Sequence, residues 1–103
     1  MPIMDISIVP IGTQSTSLSV YVARAQQVLE KKQGIQHKLT AMGTIVEANS
    51  IQVLFDIARD MHNAVMSENV KRVLTTIKID DRIDKKITMD SKIQSVQNKL
   101  KGK

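Results

Sequence analysis

The chain has 103 residues, 42% of them apolar, and a net charge of +5. One hydrophobic core fits that length, and the apolar content excludes a disordered chain. Cysteine is absent and the only aromatics are Tyr21 and Phe55, which excludes disulfides, thiolate metal sites and a cysteine nucleophile, and argues against stacking platforms for single-stranded nucleic acid.

Ile3 to Ile11 is rich in β-branched residues, and Met4, Ile6 and Ile8 alternate with Asp5, Ser7 and Val9. That period predicts a strand with one apolar and one mixed face, ended by Pro10 and Gly12. Thr13 to Ser17 is a polar loop expected to supply helix caps. Leu18, Tyr21, Val22, Ala25, Val28 and Leu29 then recur at helical spacing, and Gly34 suits the C′ position of that helix. Gln36 to Met42 alternates again and Thr44 to Ala48 is a third short strand, so a hairpin or bent strand pair is expected around Met42 and Gly43.

Asn49 or Ser50 is placed to cap a second helix whose buried face is read as Ile51, Leu54, Phe55, Ala58, Met61 and Val65. In the fourth strand, Arg72 to Asp80, Val73, Thr75, Ile77 and Ile79 take one face, and Leu74, Thr76, Lys78 and Asp80 the other. A charged connection follows. Thr88 then caps a last helix with a narrow apolar seam of Met89, Ile93, Val96 and Leu100, suited to packing on a partner surface or another chain. No internal repeat or low-complexity segment interrupts this order, and residues 1–103 read as one domain.

The order β-α-β-β-α-β predicts an α+β fold, the ferredoxin-like split β-α-β sandwich, with both helices on one face of a four-stranded antiparallel sheet and a C-terminal helix added. The first and fourth strands are expected as neighbours at the sheet centre. On the face left open, Asp5, Ser7 and Val9 lie beside Thr76, Lys78 and Asp80, with Asp5 and Lys78 able to pair across strands. Ile3, Val9 and Leu74 on the same face favour an interface over plain solvent.

Charge is concentrated at one end. From Val70 onward there are ten Lys/Arg and four Asp/Glu (+6), against five and six (−1) before it. A basic segment of this kind solvates a surface, or contacts nucleic acid or an acidic partner. The cluster Asp80-Asp81-Arg82 with Asp84-Lys85-Lys86 reads either as alternating charges on a solvated loop or as an anion or subunit contact.

Catalytic signals are missing. The glycines are isolated, so there is no phosphate loop, and no G-x-S-x-G elbow exists. His37 and His62 are far apart and have no metal-ligand spacing. The expectation is a binding protein that is not an enzyme and has no cofactor. Without a basic n-region before the first apolar run or a stretch near the roughly 20 apolar residues of a membrane span, it is also expected to be cytoplasmic.

Three blocks carry a resemblance. Asp5-Ile6-Ser7-Ile8-Val9-Pro10-Ile11-Gly12-Thr13, Leu39-Thr40-Ala41-Met42-Gly43-Thr44-Ile45-Val46-Glu47, and Lys71-Arg72-Val73-Leu74-Thr75-Thr76-Ile77-Lys78-Ile79-Asp80-Asp81-Arg82 occur in order, and the chain resembles the small thiamine-binding protein family over nearly its whole length. Ala41 departs from that family's pattern, where proline is expected. The resemblance implies a dimer of dimers with sheets of neighbouring subunits joined, and non-catalytic binding of thiamine or its hydroxymethylpyrimidine part.

A pyrimidine needs hydrogen-bonding groups at its edge, which Ser7, Thr13, Thr44 and Thr76 would supply, and apolar contact on its faces, which Met42 would supply. A cationic thiazolium favours a carboxylate, and Glu47 fits chemically, although a glutamate in a strand reads first as a surface charge. Lys78, on the open face, completes the candidate set. Two other functions fit the sequence: a self-assembling regulatory or interaction module without a small ligand, and, less well, nucleic-acid binding through the basic C-terminal third.

Overall fold

The computed structural model describes residues 1–67 and 69–102. Its elements are β1 (Ile3–Ile11), α1 (Ser19–Glu30), β2 (Gln36–Leu39), β3 (Thr44–Glu47), α2 (Ile51–Val65), β4 (Arg72–Asp80) and α3 (Met89–Lys101). The strands form one antiparallel sheet in the order β2-β3-β1-β4. This is the ferredoxin-like α+β arrangement with an added C-terminal helix.

The core forms where the apolar phases of β1, β3, α1 and α2 meet. Met4, Ile6, Val46, Leu29, Leu54, Ile57, Met61 and Val65 are almost wholly buried. Burying each such side chain stabilises the fold by roughly 1.5–3 kcal/mol. Both helices lie on this face, and Ile8, Tyr21, Val28, Val73 and Ile79 pack around its edge.

Several local expectations need correction. β4 is an edge strand and β1 and β3 are the inner ones, because β3 pairs with the free side of β1. The buried face of α2 is Leu54, Ile57, Ala58, Met61 and Val65. Phe55 is half exposed and Ile51 is exposed, since the stripe follows Ile57 and Ala58 and so rotates Phe55 off the core. The loop before α1 does not cap it. The N-cap is Leu18, without a side-chain bond, while Thr13 Oγ1 donates to the Ser15 carbonyl (2.8 Å) and the Ser17 N–H donates to Ser15 Oγ (3.0 Å). These hydroxyl groups serve the loop instead. Gly34 lies beyond the C-cap Lys31, and its φ of +76° turns the chain into β2. β2 ends at Leu39 rather than Met42.

The caps of the other helices follow the sequence. Ser50 Oγ accepts from the Val53 N–H (3.2 Å), and Thr88 with Ser91 forms a reciprocal capping box. The face expected to be open is partly covered: Ile87 and Met89 are buried at the start of α3, against the Ile3 and Glu47 end of the sheet. Further along α3, Ile93, Val96 and Leu100 are exposed. Among the described residues no helix is long and apolar enough to cross a membrane.

Candidate functional site

The two inner strands do not run side by side for their whole length. β1 pairs with β4 from Ile3 to Ile11, but with β3 only from Ile3 to Ile6. Beyond Ile6 the β3 side of β1 opens onto a cleft of about 330 Å³. Ile6 to Val9 form its floor, Leu18, Tyr21, Val22, Ala25 and Gln26 of the α1 region one wall, and the turn from Leu39 to Thr44 the other.

The turn is held by its own polar groups. The Thr40 N–H donates to the Gly43 carbonyl (2.8 Å). Thr40 Oγ1 donates to the same carbonyl (2.9 Å) and accepts from the N–H groups of Met42 (3.3 Å) and Gly43 (3.1 Å). Gly43 is required by close approach: a Cβ there would lie 2.9 Å from the Ile6 carbonyl oxygen. Thr44 is buried, and its Oγ1 accepts from Gln26 Nε2 (2.8 Å), tying the hairpin to α1. Met42 is 87% exposed at the mouth of the cleft.

Among the described residues no charged side chain lines the cleft. Its chemistry is apolar with a few hydroxyls, one phenol, one carboxamide and the backbone of β1, the composition of a small-molecule site oriented by few polar groups.

Ser7, Met42 and Thr44 of the candidate set come together here. The other four lie elsewhere. Thr13 is in the loop after β1. Thr76 is exposed on β4, across from Ser7. Lys78 stands directly opposite Asp5 but makes no ion pair with it, and lines a second groove against α3 with Asp80, Met89 and Ile93. Glu47, expected beside a cationic ring or on the surface, is 4% exposed, and its Oε2 accepts from the Met89 N–H (3.0 Å). It holds the first turn of α3 on the sheet, where a carboxylate also meets the positive end of the helix dipole.

Gln26 and Tyr21 join the cleft from α1, outside the candidate set. Gln26 carried a signal: four residues after Val22 and three before Leu29, it is a polar residue in an apolar helical phase.

The charged groups pair outside the cleft. Lys32 Nζ contacts Asp60 Oδ2 (2.9 Å) and holds the Asp60 carboxyl below its usual range. Arg82 Nε donates to Asp84 Oδ1 (2.7 Å), and the Asp84 carboxyl is lowered to about 2, chiefly by that bonding. Asp80 pairs with Lys92, so much of the acidic and basic cluster after β4 is internally matched. His62 Nδ1 bonds to Thr75 Oγ1 (2.6 Å), tying the end of α2 to β4. Among the described residues no group of three acidic, histidine or cysteine side chains gathers as metal ligands would.

The family model for thiamine-binding protein matches residues 4–97. The chain belongs to this family. It is 44% identical over 103 residues to the UPF0045 protein YqgV of Bacillus subtilis, covering 97% of this chain and 98% of that one. The crystal structure of the hypothetical protein MJ1052 of Methanocaldococcus jannaschii superposes with a TM-score of 0.83 at 29% identity, covering 93% of this chain and 95% of the other. A Thermotoga maritima protein assigned provisionally to thiamine biosynthesis or salvage superposes with a TM-score of 0.75 at 19% identity, covering 92% of this chain and 97% of that one, a likeness of fold. The thiamine-binding family match spans β1, the hairpin turn and α1, so the whole cleft falls inside it.

Proposed function

We propose that the chain binds thiamine or its hydroxymethylpyrimidine moiety in the cleft beside β1, without catalysing a reaction, and that it works as a cytoplasmic homo-oligomer, a dimer of dimers. The observation that carries the binding is the gap left because β3 begins only at Thr44, opposite Ile6. It exposes β1 backbone and the Ser7 and Thr44 region to a cleft of about 330 Å³ with apolar walls, of the size that takes a small heterocycle. Membership of the thiamine-binding family supports the choice of ligand. In this reading Ser7, Thr44 and Met42 touch the ligand, and Thr13, Thr76, Lys78 and Glu47 do so only if a neighbouring subunit brings them to it.

The oligomer is supported by apolar groups without cover in the single chain: Leu74 on the open face and Ile93, Val96 and Leu100 along α3 are all about half or more exposed.

Titration calorimetry and thermal unfolding with thiamine and with hydroxymethylpyrimidine test the ligand. A ligand at a hundred times its Kd stabilises the native state by about 2.7 kcal/mol, so a raised Tm is expected with at least one of them. No heat and no shift with either would remove the reading. The exposed seam of α3 favours a second one, a self-assembling interaction module without a small ligand. It expects an intact oligomer in light scattering and a melting curve unmoved by a panel of metabolites.

A further inference from the structure

The cleft's polar edge can be specified from the ladder. The Ala48 N–H donates to the Pro2 carbonyl at 3.3 Å, which makes that pair hydrogen-bonded. Such pairs recur at every second residue of an antiparallel ladder, so with the observed register Met4–Val46 and Ile6–Thr44 are the next two. Ile8 is then the next β1 residue whose N–H and C=O both point toward the β3 side. The residue that continues the register there is Met42, which lies in the turn and gives its N–H to Thr40 Oγ1 (3.3 Å). Pro10 supports this phase independently: it sits in register opposite Val73 of β4, and its missing N–H costs the β4 ladder nothing because that group would point the other way. Among the described residues, nothing outside the sheet bonds to the Ile8 backbone.

We propose that the Ile8 N–H and C=O are the groups that read the ligand, accepting from an exocyclic amine and donating to the adjacent ring nitrogen of an aminopyrimidine. This rests on the function proposed above and narrows it. The two groups are held by β4 on the far edge, so they are fixed before the ligand arrives and lose no freedom on binding it. Tyr21 and Met42 on the walls offer apolar contact to the ring faces. Among the described residues no charged side chain lines the cleft; Asp5 beside Gly43 and Arg24 over the Tyr21 ring stand outside that lining, so the lining itself offers a thiazolium cation or a phosphate no counter-charge. The recognised class is therefore the neutral aminopyrimidine, free or as half of a larger molecule, and phosphorylation adds no affinity.

The test compares hydroxymethylpyrimidine, its analogue with a carbonyl in place of the exocyclic amine, thiamine and thiamine diphosphate by calorimetry, with the Ile8 amide followed by NMR. The expected result is binding of hydroxymethylpyrimidine and thiamine, at least about a tenfold loss for the carbonyl analogue because like groups then face each other, no gain for the diphosphate, and a shifted, exchange-protected Ile8 amide. Ile8→Pro, which removes the N–H in the phase that Pro10 already tolerates, should lose affinity by about tenfold or more, while Ile8→Val keeps it.

If hydroxymethylpyrimidine binds but the carbonyl analogue binds as well, or the Ile8 amide stays unmoved, this inference fails and the binding function stands. A diphosphate bound far more tightly than thiamine likewise overturns it. If none of the four binds, both fall together. Should Ile8→Pro not fold, the amide signals of the unmodified chain decide the matter.

Discussion

The two halves of β1 carry similar residues and do different work. From Ile3 to Ile6 the strand has a neighbour on each side and Met4 and Ile6 are buried. From Ser7 onward it has a neighbour on one side only and borders the cleft. Ser7 and Val9 are no more polar as a pair than Asp5 and Ile3, so side-chain chemistry does not separate a structural segment from a ligand-facing one here. The end of β3 does, because it decides which backbone groups are already spent.

The largest expected effect breaks the paired half. Met4→Ala should destabilise the chain by roughly 2–5 kcal/mol through lost burial and a cavity, read from urea unfolding. Ile8→Ala, at a half-buried position, should cost clearly less, and equal losses would dissolve the distinction between the halves. Next, Gly43→Val drives a side chain toward the Ile6 carbonyl. Overpacking of this kind costs about 1–3 kcal/mol, and it should also displace the turn and weaken ligand binding; a variant that keeps full affinity would show that the turn is not a wall of the site. Glu47→Ala leaves the Met89 N–H without its acceptor, a loss of about 1–3 kcal/mol. Its affinity for hydroxymethylpyrimidine should match that of the unmodified protein, and a tenfold fall in calorimetry would put Glu47 in the site after all.

The smallest effect lies far from either half. Asp84 should titrate near 2 by NMR, and Arg82→Ala should return it toward 3.8. Because the folded value is the lower one, the pair's contribution to stability is present above the unfolded pKa and is lost as pH falls from about 4 through 2. Both partners are solvent-exposed, so the unfolding curve should hardly move.

Most of the fold is legible in the sequence because it rests on periodicity. The alternation of Met4, Ile6 and Ile8 and the spacing of Leu54, Ala58, Met61 and Val65 state which faces are buried. Ser50 and Thr88 announce their helices. Phe55 is half exposed although a large apolar residue beside a stripe reads as part of it, because its angle on the helix depends on which neighbours close the core. Glu47 reads as exposed on a sheet face expected to be open, and the segment that covers it arrives 42 residues later in the chain. The cleft was legible only in its members. Ser7, Met42 and Thr44 are there, but what joins them is a missing strand partner, and register is a long-range property that local pattern does not carry.

Pro10 has a consequence beyond the ladder. A strand with one unpaired side invites another polypeptide to add to it, the first step of edge-to-edge aggregation. An incoming strand would need regular donors and acceptors along that side, and at Pro10 the donor is missing. The break limits the open edge to little more than one residue's pair of groups, too short a template for a polypeptide and long enough for a single ring. A proline that costs the fold nothing thus keeps the protein's vacancy from becoming a liability to its solubility.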